Sequence, residues 1–549
     1  LRCWREQSRG SSSLPVPIAI LCFALLSSAG CSPGRGEPPA LTIAQDREPA
    51  SLNAALLNGA SAAEWGLLLY SYLLKFNDRG QLVGDVATEV PSLSNGGISS
   101  DGLRVTYHLH KGVRFADGVP LTARDALYSI NAVLNPRNNV QSRFGYDQIA
   151  SARAKDDWTL ELRMKRAFAP ALAIIMTPSG FPILPAHLLA KYREFNDVDF
   201  DAHPVGSGPF KAVQWARGDH VTLEANEGYW QGVPHVKRLV VRFIASPTTI
   251  VNQLHTHELA GFFNADPIVY DQLRRIAGQR VTKTPMDYVG AIIFNTADPL
   301  TANPRVRRAL AQAIDIPHLV QSVYHGALTA KDAGRGLFMW AYNPAITRDV
   351  AYDPPAARRA LAAEGWIAGP DGLRRKSGKP LELLLILQAQ APADSIIGNA
   401  VQQYEKAVGV SVRLKSYRVE QLVAPVSSGG PVYGGKFQMA LYPFNPGDDP
   451  DTTDQFSCAN VPPHGYNKSR ICDPRIDALL KAGNSTFDRA KRQRAYDELQ
   501  RMLQAQIPLV LLYQGRQVNA FTDRLMGQTT SVNGAFWNAG AWRLRGAGR

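Results

Sequence analysis

The densest run of groups able to do chemistry is LYPFNPGDDPDTTDQF, residues 441–456, which puts Asp448, Asp449, Asp451 and Asp454 within seven residues. Carboxylates so close could hold calcium, but the glycine and distal glutamate of an EF-hand loop are absent. Capping of loop backbone is the ordinary role for at least two of them. His255, His257 and Glu258 in QLHTHELAG invite a zinc reading. The H-E-x-x-H spacing that sets two imidazoles on one helical face is missing, so they read as polar helix surface. His108 and His110 lie two apart on a predicted strand and share a face, with no third ligand nearby. No G-x-S-x-G nucleophile elbow, P-loop or G-x-G-x-x-G occurs, and the GSG at Gly206–Gly208 lacks the outer glycine spacing. A hydrolase is therefore disfavoured, and no catalytic residue, metal ligand or cofactor is expected.

Two kinds of element must position these groups. Alternating apolar and polar residues predict strands at LRVTYHLHKGVRF (103–115), TLELRM (159–164), HVTLEAN (220–226), VKRLVVRFI (236–244) and LELLLIL (381–387). Apolar residues at helical spacing behind a capping or Pro-start residue predict helices over 122–134, 303–315, 354–366 and 487–506. Strands and helices alternate irregularly along the chain, which implies mixed α/β lobes and excludes a sandwich or a helical repeat. At 549 residues with 45% hydrophobic and 19% charged composition, the chain is too long for one core and too apolar for disorder. The formal charge is +13. Arg374, Arg375 and Lys376 fall in a turn, and Arg489, Lys491, Arg492 and Arg494 on a long helix, so both clusters read as solvated faces and not as a nucleic-acid surface.

The N-terminus carries Arg2, Arg5 and Arg9 before an apolar run from Leu14 to Ala29. A basic n-region and an h-region too short to span a membrane predict an export signal over residues 1–30. The run ends in SSAGC, similar to the lipobox of bacterial lipoproteins, although Ser28 stands where that pattern usually has Leu. The similarity implies lipidation at Cys31, with a tether over 31–39, a periplasmic or cell-surface location and membrane contact through the lipid. Removing the signal leaves a charge of +11. Only Cys458 and Cys472 then keep free thiols, in an oxidising compartment where a disulfide persists. A metal pair is the alternative, with His464 the one histidine between them.

Six further segments, in order and spacing, resemble the extracellular solute-binding proteins of family 5, the dipeptide- and oligopeptide-binding receptors of bacterial ABC importers. They are residues 68–90, 101–130, 204–215, 223–244, 292–320 and 352–366. FSCANVPPHGYNKSRIC (456–472) resembles the two-cysteine segment of the dipeptide binders, which supports the disulfide. The resemblance implies a two-lobed periplasmic-binding-protein-like α/β fold of the class II type. Lobe I would take residues 40–70, 203–287 and 512–545, with a subdomain inserted over 71–202, and lobe II would take 288–511. The implied protein is a monomer that closes about a hinge around a peptide or other small solute and hands it to ABC permease subunits. Oligosaccharide, opine, nickel chelate and haem are the alternative ligands.

In the relatives, a carboxylate meets the peptide's ammonium and, in dipeptide binders, an arginine meets its carboxylate. Aligning Asp449–Asp451 with the family's Asp-Pro-Asp puts Asn445, or Pro446 without a gap, where the relatives have the ammonium-binding Asp. Asp448 substitutes if the loop is one residue longer. No basic residue occurs from Ala391 to Ala400, where dipeptide binders carry the arginine. The expected ligand-binding residues are thus Asp448, Asn445 and Asp449, with Trp340, Tyr442, Phe444 and Phe338 near the cleft; core packing is the competing role for each aromatic. Tyr466 and Asn467 of the cysteine loop are balanced between the two roles.

Overall fold

Apolar runs broken by single polar residues build a ten-stranded mixed sheet from β1 (Leu41–Gln45), β2 (Phe210–Ala216), β3 (His220–Ala225), β4 (Arg238–Phe243), β5 (Gly261–Ala265), β6 (Gln279–Phe294), β7 (Glu382–Gln388), β8 (Ser411–Tyr417), β9 (Met439–Phe444) and β10 (Leu509–Thr522). The order across the sheet is β8-β7-β9-β6-β10-β5-β1-β4-β3-β2. This computed structural model describes residues 40–546 except 58, 141, 332, 348, 349 and 446, and the side chains of 59, 60 and 287 are also left out. The expected signal 1–30, tether 31–39 and lipidated Cys31, with Pro446, lie outside the described residues. Among the described residues no helix is long and apolar enough to cross a membrane.

β6 and β10 are the longest strands and pair antiparallel along their whole length, so they cross from one half of the sheet to the other. On one side β10 pairs with β5, and on the other β6 pairs with β9. The ladder slips between Pro285 and Val289 and again between Gly290 and Ala291, where the strands pass between the halves. Two reciprocal glycine–tyrosine contacts occupy this crossing. A Cβ at Gly515 would lie 2.3 Å from the Tyr288 ring, and one at Gly290 would lie 2.2 Å from the Tyr513 ring. Each ring covers bare backbone on the other strand, which only glycine leaves free.

Within each half the strands beside the crossing include parallel pairs, β1 with β4 and β5, and β7 with β8 and β9. Ala265 pairs with Val518 and Phe444 with Val289, so the carboxyl ends of both parallel groups point at the crossing. In open α/β sheets that crevice is where ligands bind. A separate antiparallel sheet of Arg104–His108, Thr159–Met164 and Ile149–Asp156 shares one continuous apolar core with β1 and β4. Two further clusters fill the half around β7–β9, one of them reaching Ile250, Leu254 and Leu273 on the other side of the crossing.

The helices used below are α1 (Gly59–Leu69), α2 (Ala123–Leu134), α3 (Pro304–Gln312), α4 (Pro354–Ala363), α5 (Pro392–Ala407) and α6 (Arg489–Gln506). α2, α3, α4 and α6 are the four helices predicted from periodicity. Each begins at a side chain that accepts a first-turn N–H: Thr122, Asn303, Asp353 and Asp488. The predicted strand over 103–115 is shorter, ending at His108. Gly112, at φ +87°, turns the chain away. His110 therefore leaves the strand it was expected to share with His108 and packs its ring 5.0 Å from Trp230. Gly206 and Gly208 form a close turn against the end of α1, where added Cβ atoms would lie 1.8 Å and 2.5 Å from Leu69 backbone atoms.

Candidate functional site

A cavity of about 480 Å³ opens where β1 and β5 end beside the crossing strands. That volume falls within the roughly 300–1,000 Å³ of small-molecule sites. The segment after β1 supplies Asp46 and Arg47, the segment after β5 supplies Asp266, α1 supplies Glu64, and the crossing strands supply Tyr288 and Arg516. Gln45, the last residue of β1, also lines it.

Glu64 is 1% exposed and organises the wall. Its carboxylate accepts from Gln45 Nε2 at 3.1 Å and from Gln517 Nε2 at 2.9 Å. Asn519 Nδ2 donates to Gln517 Oε1 at 3.1 Å, and Asn519 Oδ1 accepts from the Asn264 N–H at 2.9 Å, so a chain of polar contacts joins α1, β1, β10 and β5. Burial, aided by the negative charge of Asp46, pushes the Glu64 carboxyl up to about 8. Asp46 is also raised, by burial against the opposing charge of Arg47 and with Asp266 reinforcing it. From the other half, Asp394 in the first turn of α5 is pushed up to about 6 by burial, with the Gln388 N–H lowering it and Asp266 raising it further. Thus the helix start that lacks an arginine carries the raised carboxyl of Asp394 in its first turn. Glu48, by contrast, is engaged by Trp215 Nε1 at 2.8 Å and the Gly218 N–H at 3.1 Å.

The aspartate loop singled out in the sequence follows β9 and lies at the same crevice from the other half. Asp448 is buried, and its Oδ2 accepts from Ser179 Oγ and from Asn533 Nδ2, the latter at 3.1 Å. Asn533 Oδ1 in turn accepts from the Phe76 N–H at 3.1 Å. Two distant stretches of chain therefore meet on one carboxylate, and a third, at Phe76, is tied to it through Asn533. Burial pushes that carboxyl up to about 6 against the lowering effect of its two donors. Asp449 forms a buried ion pair with Arg492 of α6, both side chains 8% exposed, while Arg492 Nε donates to Gly483 O at 2.7 Å. Asp451 caps its own turn through the Thr453 N–H at 3.1 Å. Asp454 is pushed up to about 6 by burial and by Asp147, opposed by Lys468.

Asn445 is exposed, its Oδ1 3.4 Å from the Gly447 N–H. Phe444 and Phe338 are buried in the core of this half, Phe444 stacked on Phe456 with centroids 5.4 Å apart. Trp340 is half-buried, with Arg489 4.1 Å and Arg492 5.1 Å from its ring. Tyr442 is half-buried beneath Lys468 Nζ, 5.0 Å from the ring centroid. Cys458 and Cys472 form a disulfide. Inside that loop Asn467 is fully buried and donates to Ser457 O and Ile471 O, so its role is to brace the loop, whereas Tyr466 is exposed. Among the described residues no group of three or more His, Cys, Asp or Glu could hold a metal ion.

The structure brings the aspartate loop to the crevice but not to the open cavity. The residues lining that cavity, Gln45, Asp46, Glu64, Asp266 and Arg516, were not singled out from the sequence. One signal was available: Glu64 is the only charged residue in the otherwise apolar helix GASAAEWGLLL.

The profile of the bacterial extracellular solute-binding proteins, family 5, matches residues 81–463. The oligopeptide-binding protein AppA of Bacillus subtilis is 25% identical over 529 residues, covering 94% of each chain. The glutathione-binding protein GsiB of Pectobacterium atrosepticum is 28% identical over 439 residues, covering 78% of this chain and 81% of that one. Among solved structures, NikZ from Campylobacter jejuni in complex with Ni(L-His) superposes with a TM-score of 0.75 at 24% identity, covering 92% of this chain and 99% of that one. Two-lobed architecture, a crevice at the carboxyl ends of the strands and a profile match over most of the chain agree, and the chain belongs to the family 5 bacterial extracellular solute-binding proteins.

Proposed function

We propose that the chain is the exported receptor of an ABC importer, held at the membrane by lipid on Cys31, that captures a peptide between its two lobes and presents it to a permease as a monomer. The observation that carries this reading is the cavity at the carboxyl ends of β1 and β5, which the two crossing strands border. The lobes on this reading are 40–70, 203–287 and 512–545 for the first, 71–202 for its insertion and 288–511 for the second; the ladder slip at Pro285–Val289 supports the division near 287. Asp448 acts as a closing contact, since Ser179 and Asn533 come to it from the first lobe and its insertion. Tyr442 and Trp340 are the half-buried aromatics that border the solute's path. The names of AppA and GsiB support a peptide or a peptide-like solute.

Thermal unfolding of the purified chain against tri- to pentapeptides, glutathione, nickel–histidine, sugars and opines tests the reading. A solute bound only by the folded state raises the melting temperature by mass action. Peptides of three to five residues are expected to raise it. A rise with a sugar, an opine or a nickel chelate and none with any peptide would overturn the peptide assignment.

A further inference from the structure

The stretch Arg166–Ser179 lies in the insertion proposed over 71–202, and it meets the half around β7–β9 at two places. Arg166 Nη1 donates to Asn484 Oδ1 at 2.9 Å, the Ala169 N–H donates to Asn484 O at 2.8 Å, and Ser179 Oγ donates to Asp448. Asn484 is the last residue of the helix Pro474–Asn484 and is 2% exposed. The carboxyl end of a helix carries partial negative charge, which favours a guanidinium beside it. The aspartate loop holds that helix end in place. Thr453 Oγ1 accepts from Asn484 Nδ2 at 3.3 Å, and Arg492, paired with Asp449, donates to Gly483 O at 2.7 Å. Just beyond, Phe487 fills the space that Gly102 of the insertion leaves, where a Cβ would lie 3.2 Å from its ring.

This contact is unlike the rest of the insertion's packing. Apolar side chains from 71–202 share one core with β1 and β4, and among the described residues no side chain from 288–511 belongs to that core. Neither of the two cores of the other half includes a described residue from 71–202. A joint made mostly of hydrogen bonds parts at small cost, whereas a continuous apolar core does not.

We infer that the aspartate loop and the helix end it braces form a docking plate for residues 166–179, so that the insertion latches the two halves together without touching the solute. The inference rests on closure of the lobes around a solute and adds where part of the closing free energy resides. Asp448 and Asp449 then serve the latch, one by meeting Ser179 and the other by fixing Arg492 against the helix end. Such a latch favours the closed state alike for any cargo. Loosening it lowers the fraction of chain that is competent to hold solute, which weakens every solute by one factor and leaves selectivity unchanged.

Hydrogen exchange of the full chain, read by mass spectrometry, tests this, because the Ala169 N–H has Asn484 O as its acceptor and loses it when the halves part. Asn484→Ala keeps that main-chain acceptor and removes the side chain. It is expected to speed exchange at Ala169 about fivefold. Exchange over residues 159–164, the central strand of the insertion's own sheet, is expected to stay unchanged. Arg166→Ala, at an exposed side chain, serves if the first variant does not fold, with an expected gain of about threefold. Titration with trialanine and with glutathione completes the test, each expected to bind the variant more weakly by the same factor. Exchange at Ala169 that is as slow as in the strand and unmoved by either variant overturns the latch and leaves solute capture standing. An affinity that falls for one solute and not for the other also overturns it, since Asn484 would then act on the cargo. Faster exchange in the variants with no binding of either solute leaves the latch standing and overturns peptide capture.

Discussion

Two regions are rich in carboxylates, one in the loop after β9 and one in the wall beside β1 and β5, and they differ in how fully they are satisfied. In the loop after β9, three of the four aspartates accept hydrogen bonds or form ion pairs with residues of this chain, so the loop is finished as a structure. In the wall beside β1 and β5, Glu64 accepts from Gln45 and Gln517 and Asp266 caps its own turn, yet the Glu64 and Asp46 carboxyls are raised by burial and a buried amide oxygen beside them has no donor. The number of acids does not distinguish a binding surface from a brace. What distinguishes them is how completely the folded chain supplies partners to the polar groups around them.

The sharpest way to break this comparison is to remove a partner from the finished loop. Arg492→Met leaves Asp449 buried and uncompensated, and is expected to cost about 3–5 kcal/mol, measured by urea unfolding. A loss below about 1 kcal/mol would mean that the pair is exposed in solution. Next in size, Asp448→Ala leaves the Asn533 and Ser179 donors without their acceptor and is expected to cost about 1–3 kcal/mol. It should also speed opening, seen as faster amide exchange at residues 533 and 179. Exchange that is unchanged there would remove Asp448 from the closing contact.

The smallest effect at acid pH separates the wall from the loop by proton linkage. A carboxyl raised from 4.5 to about 8 binds its proton more tightly in the folded than in the unfolded chain. Its contribution to stability is therefore full below about pH 4.5 and is lost as pH rises toward about 8. Glu64→Gln is expected to lie within about 1 kcal/mol of the parent at pH 5 and to gain on it steadily above pH 6. Asp448 shows the same sign over the narrower window from 3.8 to about 6. Parallel pH curves for the parent and Glu64→Gln would mean that Glu64 ionises freely in the fold.

The legible parts were those governed by local rules. α2, α3, α4 and α6 begin at side-chain caps visible as single residues, and their apolar spacing specifies the buried face. The disulfide followed from two thiols in an oxidising compartment and the family's two-cysteine segment. The strand over 103–115 was drawn too long because alternation continues past His108, although Gly112 has already turned the backbone. The aspartate loop was located, but its state was not readable, because Ser179, Asn533 and Arg492 lie 269, 85 and 43 positions away. Gln45 carried no signal at all, since its interest lies in an atom that tertiary packing leaves without a partner.

The crossing of β6 and β10 has a mechanical consequence. Two strands hydrogen-bonded along their length resist sliding past one another, because a slide would break every rung at once, whereas bending out of the sheet breaks few. The glycines at 290 and 515, each under a tyrosine from the other strand, place the thinnest backbone at the slip in register. Such a joint has one soft axis. If the chain closes around its solute as proposed, that closure would reach a distant surface as a single angle, and a membrane partner would read occupancy without touching the cargo.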